Sequence, residues 1–284
     1  MLPLQPTVPV VSRLPILSAA DLAIVAEAAD LTAWSAAVEA RAAGYLAAGR
    51  SGPVGTLKKC REIVHGFTPA GNLRRGLSNP SKMPGRGWSL PALLACPTGA
   101  SLAKKAGTIC SGCYATKGRY TEAGVAASLR ARWDALQTAM EADAALWVAA
   151  MARLISQQSP AWFRWHDSGD LFADRYAAMV LAVCSLTPSV RHWIPTKETS
   201  RLSRLLVRDA LLTLPENVTL RLSAPMLHRP MSAPAGLAAL GVVTSSAGWD
   251  ASPDKCPAPT QGGECRDCRA CWDRTVPNTN YIIH

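Results

Sequence analysis

Apolar positions recur with helical spacing through residues 121–158, at Trp133, Leu136 and Met140 and then at Leu146, Val148, Met151 and Leu154. This run holds no proline and a single early glycine, so it predicts two helices broken near residues 141–144. After it the rhythm shortens. Residues 162–166, 191–195, 218–222 and 241–245 read as strands, and 174–186 and 201–212 as the helices between them. Strands alternating with helices at this interval predict parallel βαβ units. Toward the N-terminus, residues 1–17 are Pro-rich and read as an extended arm. Residues 18–50 are Ala-rich and helical, with Ser18 and Asp21 at the start, Gly49 as the stop, and Asp30 or Thr32 dividing a hairpin. Residues 51–95 are rich in Gly, Pro, Ser and basic side chains and predict a functional loop with little regular structure.

The fold class that follows is α/β. Too few strands are visible for a closed eight-stranded barrel, so the pattern fits a partial, open (β/α) barrel at 51–250. An arm with helices precedes it at 1–50, and a Cys-rich tail follows at 251–284. Parallel barrels carry their chemistry at the C-terminal ends of the strands. The polar residues fall there: His166, Asp167, Ser168 and Asp170, then Lys197 and Glu198, then Arg221 and Ser223. His166, Asp167, Asp170 and Lys197 are therefore candidate acid–base groups. The plainer readings are a core histidine, an aspartate capping the next helix, and a Lys197–Glu198 ion pair on a loop.

Nine cysteines change the picture, because their number is odd and they are clustered. The chain has no apolar run of membrane-span length, and no basic segment ahead of an apolar block at its start. An intracellular, cytoplasmic setting follows, and there clustered cysteines favour metal ligation over disulfides. The tail carries Cys256-Pro, then Cys265, Cys268 and Cys271 at C-x2-C-x2-C spacing. Three thiolates within seven residues plus a remote Cys-Pro fit a 4Fe–4S cluster, with zinc as the alternative. Cys96-Pro97, Cys110 and Cys113 repeat the layout with three ligands, leaving one metal position open. One centre drawing on both regions is also compatible with the spacing. Cys60 and Cys184 stand alone and read as small buried hydrophobes.

Net charge is +10, and much of it flanks the first cysteines, at Lys58, Lys59, Arg61, Arg74, Arg75, Lys82 and Arg86 and at Lys104, Lys105, Lys117 and Arg119. That placement suits an anionic substrate or a nucleic-acid partner near the metal; the plainer reading is a solvated basic surface. Lys117, Arg119 and Tyr120 suit a phosphate or a stacked base, or else a solvated helix start.

The strings CSGCYATKGRY, FRWHDSGDLF, TPSVRHWIPTKE and CPAPTQGGECRDCRACWD, with Tyr281 and His284 near the end, resemble the gene product 88 family of phage proteins over roughly residues 75–284. That resemblance supplies a label rather than a mechanism, with His284 a further ligand candidate. More distantly, Cys96, Cys110 and Cys113-Tyr114 resemble the cluster ligands of radical S-adenosylmethionine enzymes. Their C-x13-C-x2-C spacing departs from the C-x3-C-x2-C usual there. This likeness implies a partial barrel and a cofactor site formed by Tyr114, Ser168, Gly169, Asp170 and Ser223, with Ser168-Gly169-Asp170 turning around the amine of S-adenosylmethionine. The tail would then hold an auxiliary cluster.

Overall fold

A computed structural model describes residues 31–66 and 76–283. The predicted arm, the start of the first helical segment, Arg74, Arg75 and His284 lie outside the described residues. The strands are β1 (Arg86–Trp88), β2 (Trp162–Trp165), β3 (Arg191–Thr196), β4 (Val218–Ser223), β5 (Val243–Ala247) and β6 (Asn278–Tyr281). They form one six-stranded sheet in sequence order, and every neighbouring pair is parallel. The helices are α1 (Leu31–Ala47), α2 (Leu57–His65), α3 (Pro97–Ala103), α4 (Ala123–Ala142), α5 (Ala144–Gln158), α6 (Asp174–Ser185), α7 (Thr199–Ser203) and α8 (Ala235–Ala239).

One face of the sheet builds the main core. Trp88, Phe163, Trp165, Ile194, Leu220 and Leu222 pack there with α5 and α6, both buried along most of their length. A helix apolar around its whole circumference belongs inside a layered core. Its boundary with α4 is set by Asp143. One carboxylate oxygen accepts the Leu146 N–H at 3.0 Å, capping α5, and the other takes the Tyr45 hydroxyl at 2.8 Å and Arg41 at 3.2 Å.

The opposite face is polar and aromatic, because strand side chains alternate. It carries Trp162, Arg164, Trp193, Thr219 and Arg221, and the cysteine tail lies on it. The Trp272 ring meets Trp162 and Trp193 edge-on, with centroids 5.8 and 5.3 Å apart. Its indole N–H donates to the Phe163 carbonyl at 2.9 Å, and its own carbonyl takes the Thr219 hydroxyl at 2.8 Å.

The predicted strands at 162, 191, 218 and 241 all form, the last shifted to Val243–Ala247, and the helix break falls at Asp143 as expected. Two expectations need correction. Residues 51–95 are not simply loop. Thr56 accepts the Lys59 N–H at 3.2 Å to start α2, whose Cys60 and Val64 are buried, and Gly66 at φ +60° ends it. The three-residue β1 follows, too short to stand out among turn residues but aligned with β2 as Arg86–Phe163 and Trp88–Trp165. The helix expected at 201–212 is α7 continued by a π turn at Arg204–Arg208. The Cys-rich tail contributes β6 to the sheet beside β5.

Candidate metal centres

Three cysteines and two polar residues converge beyond the C-terminal ends of β1 to β3. Cys96 precedes α3, on the chain that follows β1. Cys110 and Cys113 lie in a 3-10 turn at Ile109–Gly112 and just after it. A Cβ placed on Gly99 would lie 3.6 Å from the Cys110 sulfur and 3.9 Å from the Cys96 sulfur, so Gly99 leaves the two thiols facing one space. The loop is fastened to the end of β4. The Ile109 N–H donates to the Pro225 carbonyl and the Leu227 N–H to the Gly107 carbonyl, both at 3.0 Å. Thr108 anchors the turn, its hydroxyl donating to the Leu102 and Lys105 carbonyls while accepting the Ser111 N–H.

Burial pushes the Cys96 thiol up to about 12, reinforced by Asp170 and Cys113; backbone hydrogen bonds from Leu93 and Gly169 oppose this. Cys110 is raised by burial too, with Lys197 pulling it down and Cys113 and Asp170 pushing it up. Asp170 thus lies near enough to act on both Cys96 and Cys110, and Lys197 near enough to act on Cys110. Asp170 accepts the Thr196 hydroxyl at 2.6 Å, the Leu171 N–H at 2.7 Å and the Lys197 N–H at 2.9 Å. Even so, burial raises its carboxyl to about 6. Glu198 reaches back to accept the Thr98 N–H at 3.0 Å, fixing the start of α3, and faces Arg201 at 3.8 Å; it is thus engaged elsewhere than with Lys197.

The other candidates sit differently. His166 adopts φ +53° and points into the core, its Nε2 2.8 Å from the Tyr176 hydroxyl, and burial lowers its pKa to about 3. Its Nδ1 is buried without a hydrogen-bond partner among the described residues. Asp167 caps no helix. Its carbonyl receives the Tyr114 hydroxyl and its carboxylate the Tyr120 hydroxyl, the latter at 2.7 Å. Ser168 donates to the Leu90 carbonyl at 2.7 Å, and Gly169 at φ +87° passes so close to Leu90 that an added Cβ would lie 2.7 Å from its Cβ. Ser168 and Gly169 thus fasten the β1 and β2 loops together. Ser223 meets the Ser245 hydroxyl at 3.4 Å across β4 and β5.

The four tail cysteines line a single cavity of about 320 Å³ with Trp272 and Thr279. Cys256 is pinned to the sheet by its N–H on the Asn280 carbonyl, and Cys265 by its N–H on the Lys82 carbonyl, both at 2.8 Å. Burial raises Cys256 and Cys265, and pushes Cys271 up to about 11. Arg164 lowers both Cys265 and Cys271, and Arg221 lowers Cys271. The Cys271 sulfur lies 3.2 Å from the Tyr281 hydroxyl.

Among the described residues no three His, Cys, Asp or Glu side chains form a ready grip on a single metal ion. A tetrahedral zinc draws its four sulfurs onto one atom, whereas each thiolate of a four-iron cluster binds a different iron and stands farther from the others. Four cysteines around one cavity, with Arg164 and Arg221 at hand to favour thiolates, could serve either donor set. Sequence reasoning gave Arg164, Tyr281 and Lys82 no role here. A charged residue within the otherwise apolar run at 162–166 was the available signal for Arg164; Lys82 contributes only its backbone and left none.

A family model for gene product 88 matches residues 68–274. The chain belongs to the gene product 88 family. No curated protein and no solved structure matches it. Among the described residues of this gene product 88 member, no helix is long and apolar enough to cross a membrane.

Proposed function

We propose that this chain is an iron–sulfur protein and an enzyme of the radical S-adenosylmethionine type or a derived relative, acting on an anionic substrate. Cys256, Cys265, Cys268 and Cys271 hold a complete 4Fe–4S cluster in this reading; Cys96, Cys110 and Cys113 hold a second with one iron free. The observation that carries it is the gathering of those three cysteines with Asp170 and Lys197 beyond the ends of parallel strands wound in sequence order. That winding also supports a partial barrel, where chemistry collects at this end.

When bound, such an open cluster would supply one-electron reduction of S-adenosylmethionine. The chain's own groups do the rest. Asp170, buried and held by three donors, offers a fixed carboxyl to the cofactor's ammonium group. Ser168 and Gly169 hold the turn that presents it, and in this reading Tyr114 and Ser223 would complete the cofactor site. Lys197 offers a cation to the substrate.

The test is the iron and sulfide content of anaerobically purified protein: about eight irons per chain for two clusters, about four for one. Cys110→Ser and Cys268→Ser should each remove one set, and reductive cleavage of S-adenosylmethionine should fail only in the former. Colourless protein carrying stoichiometric zinc, or no metal, would overturn the reading.

One observation favours a second reading, a non-catalytic nucleic-acid-binding phage protein with a structural Fe–S or zinc centre. The tail cysteines are built into the sheet through β6 and Arg221, where a metal would stabilise the fold directly. Salt-sensitive DNA or RNA binding without any cleavage of S-adenosylmethionine would select it.

A further inference from the structure

Between Glu62 and Glu122 the chain contains no acidic residue, while Lys82, Arg86, Lys104, Lys105, Lys117 and Arg119 fall within that interval. Lys104, Lys105, Lys117 and Arg119 are exposed on the loops around Cys110 and Cys113. None of the four pairs with a carboxylate among the described residues. The acids that approach from the sheet are already engaged: Asp167 by Tyr120, Asp170 by Thr196 and Lys197, Glu198 by the Thr98 N–H. The positive charge here is therefore left for an outside partner.

At the same place Tyr114 is 49% exposed as a residue, although its hydroxyl end is buried near Asp167 and Arg164, so what it offers outward is part of its ring. It does not swing freely, because its hydroxyl is bonded to the Asp167 carbonyl and its ring meets Tyr120 edge-on at 5.7 Å. Tyr120 is the more buried of the two, with its hydroxyl on Asp167, so Tyr114 and not Tyr120 offers a surface for stacking. Leu94, 50% exposed, and Leu93, held at φ +65°, extend the apolar surface on the chain leading to Cys96.

We propose that this face binds single-stranded nucleic acid, with a base stacked on Tyr114 and the phosphates tracking Lys117, Arg119, Lys104 and Lys105. A fixed, partly exposed aromatic ring among unpaired cations is the arrangement that holds single strands without reading sequence. A duplex keeps its bases stacked on one another and offers none to the ring. The inference rests on the proposed function in one respect: it names the anionic substrate class delivered beside Cys96, Cys110 and Cys113.

The test uses the full chain, purified without oxygen, with fluorescein-labelled single-stranded 20-nucleotide DNA and RNA of mixed sequence, read by fluorescence anisotropy across a salt series. Binding should be tighter to the single strand than to its duplex, and should weaken with salt. Lys117→Ala and Arg119→Ala should each reduce the salt slope by about 0.7. Tyr114→Ser should weaken binding about tenfold with little change in that slope, and Tyr114→Phe should retain it. Circular dichroism of each variant establishes folding. Equal affinity for single strand and duplex, or no effect of Tyr114→Ser in a folded variant, would overturn the proposal. So would competition by poly-L-glutamate as strong as that by the oligonucleotide, which would point to an acidic protein instead. Iron and sulfide counts on the same preparation keep the two ideas apart, since metal-free protein that still binds the strand sinks the cluster and not this surface.

Discussion

The guanidinium of Arg221 and the main chain of Cys271 meet at 3.2 Å, where the arginine Nε donates to the cysteine carbonyl inside the protein. Arg221 is completely buried on β4 and makes no ion pair among the described residues, Asp273 and Asp254 acting on it only from farther off; its other N–H groups go to the carbonyls of Thr244, Ala270, Asp273 and Val276. One cation thus holds the loop that ends the tail cysteine run. Burial lowers its pKa, with nearby Tyr281 and Cys271 among the groups opposing this. Arg221→Met should leave several buried carbonyls without donors, at a cost on the order of 3 kcal/mol. Urea unfolding should show a lowered midpoint, and if the proposed clusters are present the variant should lose the tail's iron and keep that proposed at Cys96, Cys110 and Cys113.

Gly169 marks how tightly the β1 and β2 loops close beneath the first cysteine group. At φ +87° it takes a conformation that L side chains rarely adopt, and a Cβ there would lie 2.7 Å from the Leu90 Cβ. Gly169→Ala should therefore destabilise by about 1–3 kcal/mol. The clash and the backbone strain separate experimentally. In a double-mutant cycle, Gly169→Ala should cost less on a Leu90→Ala background than on the parent, even though Leu90→Ala lowers the midpoint by emptying a fully buried site, and what remains of the cost is the backbone strain.

Much of this architecture was legible in the chain, for physical reasons. The runs at 162, 191 and 218 are strands backed by buried helices, and such runs announce themselves by their apolar content. The break at Asp143 carried its own cap. β1 and β6 were not legible. β1 is three residues long, and β6 reads Asn-Thr-Asn-Tyr, whose asparagines disfavour strands. In place those asparagines hydrogen-bond Thr244 and Ser246, so tertiary partners override local preference. Among the site residues, the cysteine spacings pointed to the two groups. The inward turn of His166 and the partly exposed Tyr114 ring depend on the fold and left no trace in spacing.

Tyr281 offers a handle on the tail centre that leaves its ligands intact. Its hydroxyl is 3.2 Å from the Cys271 sulfur, on a half-buried ring stacked beside Trp193 with centroids 6.4 Å apart. Hydrogen bonds to ligating sulfurs stabilise the more negative, reduced state of an iron–sulfur cluster and raise its potential. Tyr281→Phe should keep the iron count and shift the potential of one cluster to more negative values. A spectroelectrochemical titration reads this directly; an unchanged potential with full iron content would remove Tyr281 from any role at the centre.

His192 predicts how the fold responds to acid. Its Nδ1 accepts the Trp165 indole N–H at 3.2 Å, and because an indole nitrogen only donates, that ring nitrogen carries no proton. The remaining N–H, on Nε2, faces the Thr187 hydroxyl at 2.8 Å. Burial holds the pKa near 3, against an ordinary value of 6.5. The unfolded chain thus binds a proton at this site between about pH 6.5 and 3 that the folded chain does not. Stability is full above the upper value and falls as pH drops, by up to about 1.4 kcal/mol per pH unit for this one group. His166 and His65, also buried and lowered, act in the same direction. Urea midpoints measured from pH 7.5 to 4 should decline below about pH 6.5, and His192→Gln should make the decline shallower even if it lowers the midpoint at pH 7.5. A variant with the same slope as the parent would mean that the ring is already protonated in the folded protein.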